Sequence, residues 1–467
     1  MWRITGPSIG AIDTAHSAAA RSHTAYSGAT HSSSAYSAFL IAVNANVNRG
    51  LKGESDRQLS STTCQELPKL DRWRTGSRRY REPRLAISPA TWHRKSESPD
   101  FTFYRLRTEP NMKRLIAAAT VGLILLPTYA RAWHNRGHMA VARVAWERLR
   151  KDGLTDEVTK ILEGHPHRDT FLLQDKPAGI DKDEWMFVQA ATWPDWVRKP
   201  HGPGIDHDAA TAITKKYHHS PWHFVNLPYV HPKDSGKFDE AKIKEQALAP
   251  ELDSHGGPRH ALAAIKINLQ QIQAAHASAE ERAIALCWVL HLIGDLHQPL
   301  HAVALIASKD TFGPQEMPPP HGDEGANRLA IRIHSSNHNA IELHSYWDAL
   351  LVEDRPYPEV RTTVLSWLDK TEFGRGAFDS ELKKKETLAW AEESLSLAKT
   401  VVYMDDKKFL DVHALPPTHS SDDLKGLSAP VLSAGYQAKA EQTAKQRIVL
   451  GGYRLGDVLT TTVKPSK

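Results

Sequence analysis

The chain has 467 residues, 40% hydrophobic and 24% charged, a length that can hold two or three average domains of a soluble protein. Its net charge of +5 is unevenly spread: residues 1–132 carry 19 Lys/Arg against 9 Asp/Glu, leaving 40 against 45 in residues 133–467. The basic character belongs to the front of the chain, so an excess of lysine and arginine is excluded as the means by which the remainder meets a polyanion.

Residues 1–111 open with "TAHSAAARSHTAYSGATHSSSAYSAF" and continue through the arginine-rich "DRWRTGSRRYREPR". Neither stretch sustains a helix or strand period, and neither can bury a core. They read as a disordered low-complexity leader outside the mature protein, with Met112 a candidate start; the competing reading is a basic arm that binds nucleic acid. Residues 112–132, "MKRLIAAATVGLILLPTYARA", have the charged Lys113-Arg114, the apolar run Leu115–Leu126 and the small-residue triplet Ala130-Arg131-Ala132. The run is shorter than the roughly twenty residues of a spanning helix, which makes it a secretory signal peptide rather than a membrane anchor. Cleavage after Ala132 is expected to leave Trp133 as the amino terminus of a periplasmic or secreted protein.

From Trp133 onward the pattern is helical, without convincing alternation, and predicts one all-α domain over 133–467. "GHMAVARVAWERLR" sets Met139, Val141, Val144, Ala145 and Leu149 near one face. "PRHALAAIKINLQQIQAA" begins at Pro258 and keeps an apolar stripe. "AEERAIALCWVLHLIGDLHQPLH" is acidic at its front, apolar through its middle, and bent or ended near Pro299. Cys287 within it reads as a buried small hydrophobe, and as the only cysteine of 133–467 it leaves that region without an intrachain disulfide. Residues 308–325, rich in Pro, Gly and Asp, read as a loop. Further helices are predicted at 357–369, 387–404, 432–446 and 447–461.

The chemistry lies in histidines and aspartates at helical spacing. His291 and Asp295 in "HLIGD" are i and i+4, and His344 and Asp348 in "HSYWD" repeat that spacing. Such pairs stand one above the other about 6 Å apart, a separation from which an imidazole and a carboxylate can hold one cation. His301 follows Pro299; upstream lie His223 in "WHFVN", Asp195 and Arg198 in "TWPDWVR", and Trp133 and His138 in "WHNRGH". An isolated histidine is more often a core or surface side chain, and 26 histidines make some coincidences inevitable. Two such pairs, one embedded in apolar sequence, are harder to dismiss, because a buried carboxylate costs several kcal/mol unless a cation compensates it. Nitrogen and oxygen donors without thiolates suit zinc in an open, hydrolytic site.

In their order, "WHNRGH", "TWPDWVR", "WHFVN", "HLIGDLHQPLH" and "ELHSYWD", with a closing "GGYRLGDVL", make residues 133–467 resemble the S1/P1 nucleases. These are zinc-dependent single-strand nucleases and 3′-nucleotidases whose mainly helical fold is shared with bacterial zinc phospholipase C. The resemblance implies three zinc ions: one on Asp195, His223, His291 and Asp295; one on His138, Asp295 and the α-amine and carbonyl oxygen of Trp133; and one on His301, His344 and Asp348. A peptide nitrogen has no lone pair for zinc, so the Trp133 site requires the signal to be cut. His297, six residues past His291, is out of phase with these ligands and is expected to point elsewhere.

The resemblance further implies in-line attack of an activated water on phosphorus, products with a 5′-phosphate, and Arg198 steadying charge on the phosphate. It makes Phe224 the base-stacking residue and places Asn226 and Asn327 on the substrate side. Asn226 stands where many members carry aspartate, and "GAN" at 325–327 replaces the usual Gly-Gly-Asn. Substrates on this reading are single-stranded DNA and RNA and 3′-nucleotides, taken by a monomer with no stable protein partner. The alternatives are a zinc phospholipase C of the same fold and a non-catalytic zinc-binding homologue.

Overall fold

The computed structural model describes residues 133–352 and 355–463. The leader at 1–111 and the signal peptide at 112–132 lie outside the described residues. The principal helices are α1 (Asn135–Asp152), α2 (Thr155–Leu162), α3 (Lys182–Ala190), α4 (Trp193–Trp196), α5 (His207–Tyr217) and α6 (Glu240–Leu248). They continue with α7 (Ala261–Gln273), α8 (Ala279–His297), α9 (Leu343–Asp348), α10 (Tyr357–Leu368), α11 (Thr387–Leu397) and α12 (Ala434–Val463). No helix among the described residues is long and apolar enough to cross a membrane.

α8 is the central element, buried from Ala285 to His297 without a break, as befits a helix apolar on all sides. Ser278 and Glu281 close a capping box at its start. Its end is set by Pro299, which forces Gln298 into an extended conformation (φ −81°, ψ 118°). α7 packs along it, but begins three residues after Pro258, where the His260 side chain accepts the Ala263 N–H.

α1 lies against α12, and glycines make that approach possible. A Cβ on Gly452 would stand 2.4 Å from the Val144 Cβ, and one on Gly456 2.8 Å from the Arg148 Cβ. This also explains why the two helices predicted at 432–446 and 447–461 are one. Gly451 and Gly452 serve as contact surface, and helical hydrogen bonding runs through them from Ala434 to Val463. The helix expected at 387–404 becomes α11 followed by a wider π turn over Ala398–Val402. α2, α3, α5 and α6 were not anticipated by the periodicity; each is short, and α3, α5 and α6 start on aspartate caps, Asp181, Asp206 and Asp239.

Small strands join the helices. β1 (Pro228–Val230) pairs in parallel with β2 (Ala304–Ile306). β3 (Leu329–Ile331) lies between β4 (Ile341–Glu342) and β7 (His413–Ala414), and β5 (Met404–Asp405) pairs with β6 (Lys408–Phe409). At two or three residues each, they are too short for alternation to show in sequence. The β1–β2 pairing matters for function: it follows His223 on one strand and His301 on the other, and the Val225 N–H donates to the His301 carbonyl at 2.8 Å.

Candidate metal centre

Three groups of histidine and aspartate converge in the interior. His138, Asp195 and His291 form one, His223, His291 and Asp295 the second, and His301, His344 and Asp348 the third; within each group the potential ligand atoms lie within 4.8 Å of one another. They come from α1, α4, α8, α9 and the short turns Ser220–His223 and Pro299–Ala302. Eight of the nine positions singled out as metal ligands therefore fall in these groups, and the ninth, Trp133, packs beside them with its indole on Gly294 O. His138 groups with Asp195 and His291 and also reaches Asp295, so the first two groups share side chains, as the bridging role the resemblance implies for Asp295 requires.

Asp295 is the hub. Its Oδ1 lies 3.3 Å from His138 Nε2, and its Oδ2 lies 3.1 Å from His223 Nδ1 and 3.3 Å from His291 Nε2. His223 Nδ1 and His291 Nε2 face each other at 3.0 Å, and the His138 and His291 rings stack at 3.8 Å. In the third group, Asp348 Oδ2 is 3.1 Å from His344 Nε2, and Asp348 Oδ1 is 3.9 Å from His301 Nε2.

Backbone carbonyls set the orientation of the rings. His291 Nδ1 donates to Ala191 O at 2.8 Å, His301 Nδ1 to His223 O at 2.7 Å, and His344 Nδ1 to Gly325 O at 2.6 Å. Each bond turns Nε2 toward the cluster, the arrangement that fixes the tautomer of a ligating imidazole. Gly325 has φ +63°, and a Cβ there would stand 2.4 Å from Leu300 O, so only glycine brings that carbonyl to His344. Asp348 is held in the same manner: Gln298 Nε2 donates to its Oδ1 at 2.7 Å, while Gln298 Oε1 accepts the Leu300 N–H.

Trp133 is fully buried. Its indole donates to Gly294 O at 3.1 Å, one residue before Asp295, and the His134 N–H donates to Asp348 O at 3.2 Å. The glycine of "WHNRGH" is explained by the same contact, since a Cβ on Gly137 would lie 2.8 Å from the Trp133 Cβ. Arg198 Nη1 stands 3.4 Å from Asp195 Oδ1. Phe224 and Asn226 are half-buried just past His223. Asn327 is buried, its Nδ2 donating to Glu324 O, two residues after the Gly325 that anchors His344. His297 is buried on another side of α8, with Nδ1 donating to Ile293 O and Nε2 accepting from Arg454 Nη1 at 2.9 Å. Cys287 is buried, and burial pushes its thiol pKa well up, as suits an inert core residue.

The electrostatics describe a site built for cations. Burial opposes ionisation of Asp295, yet His291 and His301 override it and hold its carboxyl well below the usual carboxylate range. Burial likewise opposes charge on Asp195, and the facing His291, His223 and His138 keep its carboxyl low. Burial, then His291, drops His138 to about 4, so its imidazole is neutral and able to ligate near pH 7. Asp295 Oδ1, Asp348 Oδ2, both ring nitrogens of His138 and Nε2 of His223 and His301 are buried without a hydrogen bond. Orphaned buried polar atoms each cost about 1–3 kcal/mol, and five residues of these groups carrying them together is the pattern that divalent cations satisfy.

The sequence did not single out Gln298, although it lies inside "HLIGDLHQPLH", nor the carbonyls of Ala191, His223 and Gly325. The glutamine had a detectable signal, a polar side chain beside proline in an otherwise apolar run; the carbonyls had none, because every residue carries one. No curated protein matches the chain. The model of the S1/P1 nuclease family matches residues 133–464, the span over which these ligand groups assemble. With its buried groups of histidine and aspartate, the chain belongs to the S1/P1 nuclease family of metal-dependent hydrolases that act on ester bonds of nucleic acids.

Proposed function

We propose that this protein is a zinc-dependent phosphodiesterase that cuts single-stranded DNA and RNA to 5′-phosphate products and also acts as a 3′-nucleotidase. The observation that carries the reading is the buried Asp295 carboxylate with three imidazoles on its two oxygens. A donor set of nitrogen and oxygen without thiolate, its members in three groups, suits three zinc ions in a hydrolytic site. Asp195, His223, His291 and Asp295 would hold one ion, Trp133, His138 and Asp295 the second, and His301, His344 and Asp348 the third. Bound there, zinc supplies an acidified water and neutralises charge on phosphorus oxygens.

The chain's own residues supply the rest. Asp295 and Asp348 bring buried negative charge whose compensation by cations leaves the site attractive to phosphate. Arg198 stands beside Asp195, where its guanidinium can follow charge as it grows on the phosphate. Phe224, half-buried next to His223, offers a ring face to an unstacked base, with Asn226 and Asn327 lining the substrate side. A recessed cluster accepts a flexible single strand and rejects the stiff duplex. Trp133 joins the ligand set through an amine that exists only after cleavage behind Ala132, so this reading includes an exported, periplasmic or secreted, monomeric enzyme without a membrane anchor.

The test is an assay of purified protein, with metal content and amino-terminal sequence determined on the same sample. Denatured DNA should be hydrolysed, phosphatidylcholine should not, and active chains should begin at Trp133 with three zinc ions. Asp295→Asn should lower turnover by more than about a hundredfold, because loss of a ligand exceeds the tenfold to hundredfold typical of its supporting groups. Lipid hydrolysis without nucleotide release would transfer the protein to phospholipase chemistry. Full metal content with no hydrolysis of either would make it a zinc-binding homologue.

A further inference from the structure

Residues 324–326 take the left-handed region three times in succession, Glu324 at φ +56°, Gly325 at +63° and Ala326 at +66°. L-residues visit that region as single exceptions, because Cβ crowds the following carbonyl. Glu324 and Ala326 therefore hold backbone strain that their surroundings must maintain, and Ala326 does so while fully buried. The turn they form serves one ligand. Gly325 O accepts from His344 Nδ1 at 2.6 Å, and Ala326 O accepts the His344 backbone N–H at 3.4 Å.

We propose that Asp323 and Tyr403 are positioning residues for the group of His301, His344 and Asp348, holding the Gly325–Ala326 peptide so that its carbonyl aims the His344 ring. The nitrogen end of that peptide, the Ala326 N–H, donates to the Asp323 carboxylate. A trans peptide is planar, with its N–H and C=O pointing opposite ways, so an acceptor on the nitrogen side decides where the carbonyl points. Asp323 is fully buried and committed at both oxygens. Its Oδ1 accepts the Leu305 N–H of β2 at 2.9 Å, and its Oδ2 accepts the Tyr403 hydroxyl at 2.7 Å. Those commitments keep Asp323 out of the ligand groups. Tyr403, fully buried as well, directly follows the π turn Ala398–Val402. Its backbone N–H donates to Ala398 O at 3.0 Å, so the wide turn after α11 sets the hydroxyl in place.

The inference rests on the metal-binding part of the proposed function, and its test reads bound zinc instead of hydrolysis. Purified wild type and Tyr403→Phe are dialysed against graded chelator, and zinc per chain is counted at each step. The substitution keeps the ring beside Tyr229 and Phe409 and removes only the hydroxyl. One zinc ion should be held about tenfold more weakly, the lower end of what supporting groups contribute, while the others leave as in wild type. Adding Ala326→Gly should restore most of that loss, because glycine takes a left-handed φ without outside support. A general loosening of the core would shift every ion together and would not be repaired by a glycine at 326. Release curves equal to wild type, a shift shared by all ions, or a selective shift that the glycine leaves unrepaired overturns the proposal, even in a protein that cuts single-stranded DNA. A selective, glycine-repaired shift in a protein that cuts nothing upholds it and removes the nuclease reading. Wild type that holds no zinc removes both.

Discussion

A carboxylate can be present in a ligand set and still be useless if it rotates, and Gln298 is the residue that prevents this for Asp348. Its amide nitrogen donates to Asp348 Oδ1 while its amide oxygen accepts the Leu300 N–H, so both ends of the side chain are committed and the carboxylate is locked toward His344. Gln298→Ala should therefore reduce metal affinity at the third group, and with it turnover, by about ten- to a hundredfold, with Gln298→Glu worse because it sets a second carboxylate against Asp348. Metal content after dialysis against graded chelator checks this; retention equal to wild type in Gln298→Ala would refute it. The clustering of these side chains was legible because imidazole and carboxylate at i and i+4 inside an apolar helix have few other reasons to exist. The groups that orient them were not. Ala191, His223 and Gly325 act through carbonyls, and what selects a carbonyl is the backbone path around it, which no side-chain pattern reports.

At the scale of elements, the pairing of α1 with α12 carries the candidate ligand His138, since α1 presents that histidine to α8 on one side and rests on glycines of α12 on the other. Gly294 on α8 meets His138 Nδ1 at 3.0 Å from its would-be Cβ, so α1 is wedged between two glycine surfaces. Gly452→Ala would drive a methyl to 2.4 Å from the Val144 Cβ and should cost about 1–3 kcal/mol by overpacking. Gly435→Ala, on the same helix but with only Ser433 Oγ nearby at 3.8 Å, should be neutral or slightly stabilising. Melting temperatures that move together in the two variants would contradict this account. Here the sequence was informative in parts. The periodicity located α1, α7, α8 and α10, whose apolar stripes face one core. It divided α12 at Gly451-Gly452, because a glycine pair that ends a helix and one that admits a neighbouring helix look the same until the neighbour is known. It passed over β1 and β2, although their pairing brings His223 to His301, since three-residue strands carry no period.

Across the whole molecule, acidic and basic groups are unevenly distributed, and one buried network ties together elements far apart in sequence. Glu393 on α11 accepts Arg447 at 3.2 Å and Arg454 at 2.7 Å from α12 and Lys384 at 3.1 Å from the preceding turn. Arg447 Nε and Arg454 Nη1 also reach His297 on α8. Burial works against the Glu393 charge, but Arg454 and Arg447 prevail and pull its carboxyl down from 4.5 to about 2. The folded state thus binds fewer protons than the unfolded chain between these values. The resulting stability is complete above about pH 4.5 and is lost as pH falls toward 2. Because the side chain is 14% exposed, a shift of this size corresponds at most to something on the order of 3 kcal/mol. Glu393→Gln should lower the melting temperature at pH 6, where two buried arginines lose their anion. It should also narrow the wild-type drop between pH 5 and pH 3, because a glutamine has no proton to take up in that interval. Two melting curves that stay parallel from pH 6 to pH 3 would mean that Glu393 is not the residue through which acid loosens α11 from α12.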